Sequence, residues 1–342
     1  MGVVTVVFFL FNVLPGDPAR MMLGQRADKA SIEAINNDLG LNEPLPYQFA
    51  LYINDLSPLS FHNAVDSEMA TFWTTEKYGG FPLITIGDYR VVFKAPYLRR
   101  SYQSQKKVNE IIGETLLETS VLAVSAILIA TFLGILLGIF SAIYKDSWLD
   151  RISLLFATSG MALPSFFVGI IIAWIFGYLL ADYTGLNMTG SLYEVDDLGR
   201  GEYLALGNLV LPAITLGVRP LSVIVQLSRN SMLEVMSQDF VRTAVAKGLS
   251  KRVVILKHAL KNALNPVLTA VSGMFASLMA GAVFVEIVFA WKGIGWEVVN
   301  ALEKYDLPVV MGAVLVIAVI FVIINIVVDI LYGVLDPRVR VS

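Results

Sequence analysis

Arg219, Glu286, Asn325 and Asp329 stand inside the long apolar runs of a 342-residue chain and are its candidates for chemistry. An ionisable group at membrane depth is costly and faces protein or water, so each marks a structural pairing or a solute pathway. Arg219 falls about ten residues into its run, near mid-depth at 1.5 Å per residue. Its neighbour Pro220 lacks an N–H and leaves a carbonyl one turn earlier unbonded. A guanidinium there is held by carbonyls or an acidic group, or it meets a passing carboxylate through paired hydrogen bonds. Asp329 lies about two turns from the end of the last run. It pairs with a basic residue such as Arg229, or it belongs to the pathway. Other chemistries are excluded. The chain has no cysteine, His62 and His258 are far apart, and no Ser/His/Asp set or acidic pair shares a pocket. No G-x-x-x-x-G-K-[ST] occurs, so the chain has no phosphate-binding loop of its own.

Membrane spans must position these residues. The chain is 56% hydrophobic and 15% charged, whereas soluble domains carry about 25% charged residues. Residues 3–14 reach about 18 Å, short of the roughly 30 Å of hydrocarbon. They lack the basic lead and cleavage site of a signal peptide and count as a short first span. Spans at 116–143, 152–181 (broken by Pro164), 209–227, 264–290 and 309–335 bring the total to about six. Gly134 and Gly138 form a small-xxx-small pair suited to close helix contact. Residues 28–39 read as a short amphipathic helix capped by Asp28, with Ile32, Ile35 and Leu39 inward. Residues 57–96 mix Pro, Gly and aromatics around a strand pair, LITIG and YRVVFK, and read as an insertion. The expected fold is an all-α polytopic membrane protein carrying a mixed insertion.

Between the spans lies a basic, helix-patterned stretch, DFVRTAVAKGLSKRVVILKHALKNALNP. Met232, Met236, Phe240 and Ala244 recur on one helical face. Gly248 breaks the pattern, and Ser250 can cap a second helix with Val253, Leu256, Leu260 and Leu264 as its stripe. Glycine accepts a left-handed turn at little cost, so a helix–turn–helix elbow is predicted over 230–263. Arg242, Lys247, Lys251, Arg252, Lys257 and Lys261 outnumber Glu234 and Asp239 there, while the 182–206 loop is acidic. Basic short loops stay cytoplasmic, which places the elbow and both termini inside and residues 16–110 outside. The elbow lacks interleaved aromatics and lies against a membrane, so nucleic acid is not its partner.

RTAVAKGLS followed by HALKNALNP resembles the cytoplasmic loop of binding-protein-dependent ABC importer permeases, in the dipeptide/oligopeptide/nickel branch. Thr243, Ala244, Ala246, Lys247, Gly248, Leu249, His258, Ala259, Leu260, Asn262, Ala263, Leu264 and Pro266 fit that pattern; Val245 departs from its usual Arg. LPGDPA at 14–19, GLNEPLPYQF, and Arg100, Ser101, Tyr102, Val108, Ile112 and Thr119 are similar to further family segments. So are Glu286, Phe289, Gly293, Gly295, Asp306 and Pro308, and at the end Asn325, Asp329, Tyr332, Asp336, Pro337 and Arg338.

The resemblance implies a type I ABC importer permease fold in the bacterial inner membrane. Residues 1–15 would be a partial first helix and 16–110 an extracytoplasmic region with its insertion at 57–96. Residues 111–336 would form a five-helix core and 337–342 a cytoplasmic tail. The function implied is import of di- or oligopeptides, or of nickel or another small solute by the same machine. The partners implied are a second permease, two cytoplasmic ATPases that hold ATP and Mg, and an extracytoplasmic substrate-binding protein; this chain itself is expected to bind no cofactor. Phe240, Arg242, Thr243, Ala244, Ala246, Lys247, Gly248 and Leu249 would contact an ATPase, and Arg219, Glu286, Asn325 and Asp329 are the pathway candidates. A secondary transporter driven by an ion gradient is the competing class, but it wants an internal repeat, and none is visible.

Overall fold

Apolar periodicity builds the helices of this computed structural model, and proline and glycine set where they stop. It describes residues 2–13, 33, 36, 40–66, 69–196, 199 and 201–335. The LPGDPA segment, most of the expected 28–39 helix and the 337–342 tail lie outside the described residues. The chain divides into two compact units, residues 1–114 with 297–318 and residues 115–296 with 319–342.

In the first unit, helix α1 (Gly2–Val13) is apolar but for Thr5 and Asn12. Its Val7 and Phe8 are buried with Tyr52 of α2 (Leu45–Leu56) and with Leu315. The Phe8 ring lies 5.1 Å from Phe49 and 5.5 Å from Tyr52. Strands β1 (Leu59–Asn63), β2 (Phe81–Ile86) and β3 (Tyr89–Phe93) form an antiparallel sheet in the order β1-β3-β2. β2 and β3 meet at Gly87-Asp88, where Gly87 takes φ +61°; positive φ at the first central residue suits the twist of a two-residue hairpin. Pro82 sits on edge strand β2 beside a register shift, as a residue without an N–H must. β1 escaped the sequence reading because its inward residues, Ser60 and His62, are polar. His62 Nε2 meets Ser60 Oγ at 2.9 Å, and Nδ1 meets the Thr71 carbonyl at 3.1 Å. Burial lowers the His62 pKa to about 4. Nearby, Arg99 reaches the buried carboxylate of Asp55 at 3.3 Å, and Lys94 donates to the Asp55 carbonyl.

Two segments some 200 residues apart close this unit. The Asp306 carboxylate accepts from the Ser101 hydroxyl and, at 2.9 Å, from the Tyr102 N–H.

Helix α3 (Val108–Ile143) carries its apolar run into the second unit. α4 (Trp148–Ala162) and α5 (Ser165–Trp174) are bent by 114°. Pro164 disfavours a helical Leu163, which takes the extended φ −81°, ψ 137°. A wider π-type turn, Ile175–Leu179, continues α5. A small hairpin, β4 (Tyr193–Val195) with β5 (Glu202–Leu204), precedes α6 (Gly207–Met236). α6 is the central helix. A Cβ at Gly134 would come within 2.7 Å of Ile224, and one at Gly138 within 2.6 Å of Ser228, so the small pair on α3 lets α6 pack closely against it. α7 (Asp239–Ala246) opens the elbow. α8 (Asn265–Gly281), α9 (Val283–Phe289), α10 (Ile294–Glu303) and α11 (Leu307–Leu335) follow. Among the described residues α3, α6 and α11 are long and apolar enough to cross a membrane, and the bent pairs α4/α5 and α8/α9 bring the number to five. Leu122, Ala126, Leu211, Leu216, Val285, Phe289 and Trp291 centre the core of this unit.

Candidate functional site

The elbow turns on a helix end with defined chemistry. Gly248 takes φ +76°. Its N–H meets the Val245 carbonyl at 2.9 Å, and the Leu249 N–H reaches the Ala244 carbonyl at 3.4 Å. These paired bonds form a Schellman motif, whose left-handed position favours glycine. A Cβ at Gly248 would meet nothing within 4 Å, so it is the backbone angle and not crowding that favours glycine there.

The inner side of the elbow packs Val241 and Ala244 against Met232, Val235, Val254, Ile255, Ala259, Ala263 and Ala142 of α3. Phe240, Arg242, Thr243, Ala246, Lys247, Gly248 and Leu249 are exposed. Arg242 lies 3.4 Å from Asp239 across one turn. Two expectations are corrected. Phe240 does not extend the Met232–Met236 face, because α6 ends at Met236 and extended Gln238 restarts the helix. The second arm buries Val254, Ile255, Ala259 and Ala263, while Val253 and Leu256 are exposed. A π-type turn over Val254–Ala259 widens the helix there and shifts its phase. Ser250 precedes this arm with extended backbone but makes no side-chain capping bond.

Glu286 lies fully buried. Its carboxylate accepts from the Thr119 hydroxyl at 2.7 Å and the Trp296 N–H at 2.9 Å, while Thr119 Oγ1 accepts from the Ile294 N–H at 2.8 Å. A Cβ on Gly293 would strike both Glu286 and Thr119, and one on Gly295 would come within 2.7 Å of Val283 and 2.9 Å of Glu286. The two glycines of the WKGIGW stretch therefore make room for this knot. Trp291 completes it, donating its indole N–H to the Glu118 carbonyl at 3.1 Å.

The other polar candidates are not brought together. Asn325 donates to the Phe321 carbonyl of its own helix at 2.7 Å. Asp329 is exposed on α11. Arg229 is not its partner: Arg229 is held by Asp150 of α4, through Nε at 2.7 Å and Nη2 at 2.8 Å. Spacing hides that pair, since its members sit 79 residues apart; the one clue was an Asp in the first turn of an apolar helix. Arg219 is exposed, and no hydrogen bond or ion pair engages it among the described residues. It borders a cleft of about 590 Å³ between α4, α5, α6 and α8, together with Ser165, Thr215, Pro220 and Ser277.

Comparisons with known proteins agree with this geometry. Residues 134–341 match the family of binding-protein-dependent transport system inner membrane components, and residues 1–66 match the N-terminal part of such membrane components. The dipeptide transport system permease protein of Alkalihalophilus pseudofirmus is 35% identical over 353 residues, covering 99% of this chain and 95% of that protein. A probable D,D-dipeptide transport system permease of Escherichia coli strain K12 is also 35% identical, covering 99% and 93%. The glutathione transport system permease of Pectobacterium atrosepticum is 32% identical, covering 99% and 94%. Among solved structures, an inward-facing MetNI methionine ABC transporter superposes with a TM-score of 0.52 at 14% identity, covering 67% of this chain and 97% of that one, a likeness of fold. The fold is that of an ABC importer permease, a transport component and not an enzyme. The chain belongs to the binding-protein-dependent transport system inner membrane components.

Proposed function

We propose that this chain forms half of the membrane pathway of an ATP-driven importer of di- or oligopeptides, and that its elbow is the seat of an ATPase subunit. The observation that carries the reading is the elbow: an exposed apolar and basic surface, Phe240, Lys247 and Leu249 included, hinged at Gly248 and backed by its own buried cluster. Such a surface is built to fit a groove on another protein, with apolar anchors giving affinity and cations giving steering. The peptide substrate is supported by the names of the relatives, which are dipeptide and glutathione permeases.

In this reading a second permease completes the pathway, and two cytoplasmic ATPases hold ATP and Mg. An extracytoplasmic binding protein delivers the peptide, and both termini face the cytoplasm. Closure of the ATPases around ATP pushes the elbow, and because α7 and the second arm share one buried cluster the push reaches α6 through Met232 and Val235. Reconstitution with the partner subunits tests this. Peptide uptake should require ATP, the ATPases and the binding protein. Uptake by this chain alone under an ion gradient, or ATP-driven uptake of nickel in place of peptide, would replace the reading.

A further inference from the structure

We propose that Arg219 is a solute-binding residue, taking the free carboxylate of a peptide as it crosses the membrane; the inference rests on the peptide-importer reading above. Three observations meet at one turn of α6. The first is the guanidinium itself, exposed at mid-span and unpartnered among the described residues. Arginine stays charged in proteins, so a surface position within a membrane span must face water or another protein and not lipid. This chain does neutralise an arginine where structure needs it: Arg229, about three turns further along α6, is clamped by Asp150 from two sides. Arg219 receives no such partner.

The second observation is Thr215, one turn before Arg219 and on the same side of the helix. Its hydroxyl is buried and has no hydrogen-bond partner among the described residues. Buried polar atoms are normally satisfied, and one left open beside a cleft is a place for a ligand or a water. The third is Pro220, within α6. Lacking an N–H, it cannot supply the donor that the Leu216 carbonyl would ordinarily receive in a helix. Arg219, Thr215 and Leu216 all line the same cleft of about 590 Å³, a volume within the roughly 300–1,000 Å³ of small-molecule sites. Leu163, Val168, Val223 and Met274 supply apolar wall.

A fixed cation, a hydroxyl and a carbonyl deprived of its usual helix donor, around an apolar-walled cleft, suit a zwitterion. The guanidinium fork matches a carboxylate through two parallel N–H···O bonds, which a lysine cannot reproduce. The carbonyl suits the ammonium end or a peptide N–H. One ion pair in an open cleft holds the solute in passing without trapping it. The competing occupant of Arg219 is a carboxylate of the second permease, which would make the residue structural.

The test uses assembled complexes in liposomes, with Arg219→Gln and Arg219→Lys in place of the native residue. Uptake of a tripeptide with a free C-terminus is compared with uptake of its C-terminal amide. Arg219→Gln should lower free-carboxylate uptake about tenfold more than amide uptake, with Arg219→Lys in between. Equal losses for both peptides, or failure of Arg219→Gln to assemble, would overturn the proposal. A second arm needs no transport. The chain has no cysteine, so Ser277→Cys, with cysteine-free partners, gives a single reporter in the cleft. An anionic methanethiosulfonate should label it faster than a cationic one, and Arg219→Gln should abolish that preference. An absent preference would mean that a partner carboxylate already neutralises Arg219, and the proposal would fall. Should the unmodified complex import no peptide at all, the peptide reading fails, and the labelling preference still decides whether Arg219 presents an open anion site.

Discussion

Arg229 of α6 grips Asp150 of α4 with both ends of its guanidinium fork, at 2.7 and 2.8 Å. The Ser141 hydroxyl and the Asp146 N–H satisfy the rest of the carboxylate, so the pair ties α3, α4 and α6 at one point. The Asp150 side chain is 3% exposed. Removing one member of a buried pair strands the other charge, at a cost of about 3–5 kcal/mol. Asp150→Asn should therefore lower the thermal stability of the purified protein far more than Asp329→Asn, whose carboxylate is exposed. Parallel thermal unfolding in one detergent measures both. Equal shifts would mean that Asp329 is also a structural ion-pair member.

The glycines beside Glu286 give a second outcome. A Cβ at Gly295 has nowhere to go, and overpacking of a rigid core costs about 1–3 kcal/mol. Gly113, on α3, has open space around its missing Cβ. Gly295→Ala should reduce assembled protein and its melting temperature, whereas Gly113→Ala should leave both unchanged or slightly raised by its better helix propensity. A neutral Gly295→Ala would show that the Glu286 knot tolerates opening.

The three-stranded sheet of the first unit should weaken in acid. Folded His62 titrates near 4, below its ordinary 6.5, so between those values the unfolded chain binds a proton that the folded one does not. Stability from this group is complete above about pH 6.5 and falls as pH drops toward 4, with about 2 kcal/mol lost by pH 5. Limited proteolysis of segment 57–96 at pH 7 and pH 5 reads this, and His62→Gln should flatten the difference. Equal cleavage at the two pH values in the native protein would contradict it.

Legibility in the sequence followed the range of the interaction. The elbow was readable because a local backbone need, positive φ at Gly248, favours glycine, and because alternation of basic and small residues around it is visible within ten positions. The five apolar runs were readable for the same local reason. The hairpin of β2 and β3 was readable as the strand pair LITIG and YRVVFK, two β-branched and aromatic runs close together in the chain. What stayed hidden depends on partners far along the chain: Asp150 with Arg229, Thr119 with Glu286, and β1, whose buried side carries Ser60 and His62. The stripe of the second arm was misplaced because a π-type turn changes helical phase, and no residue type signals it.

Gly248 is the proposed hinge through which ATP hydrolysis reaches the membrane. A β-branched residue at φ +76° resists the left-handed backbone by about 1–2 kcal/mol, and it re-aims α7 against its cluster. The decisive measurement is ATP-dependent peptide uptake, with ATPase activity recorded in the same liposomes, for native, Gly248→Asn and Gly248→Val complexes. Asn tolerates left-handed geometry and should retain most uptake. Val should keep basal ATP hydrolysis in the assembled complex while losing both peptide stimulation and uptake. Full substrate-stimulated hydrolysis and uptake in Gly248→Val would contradict the elbow's role.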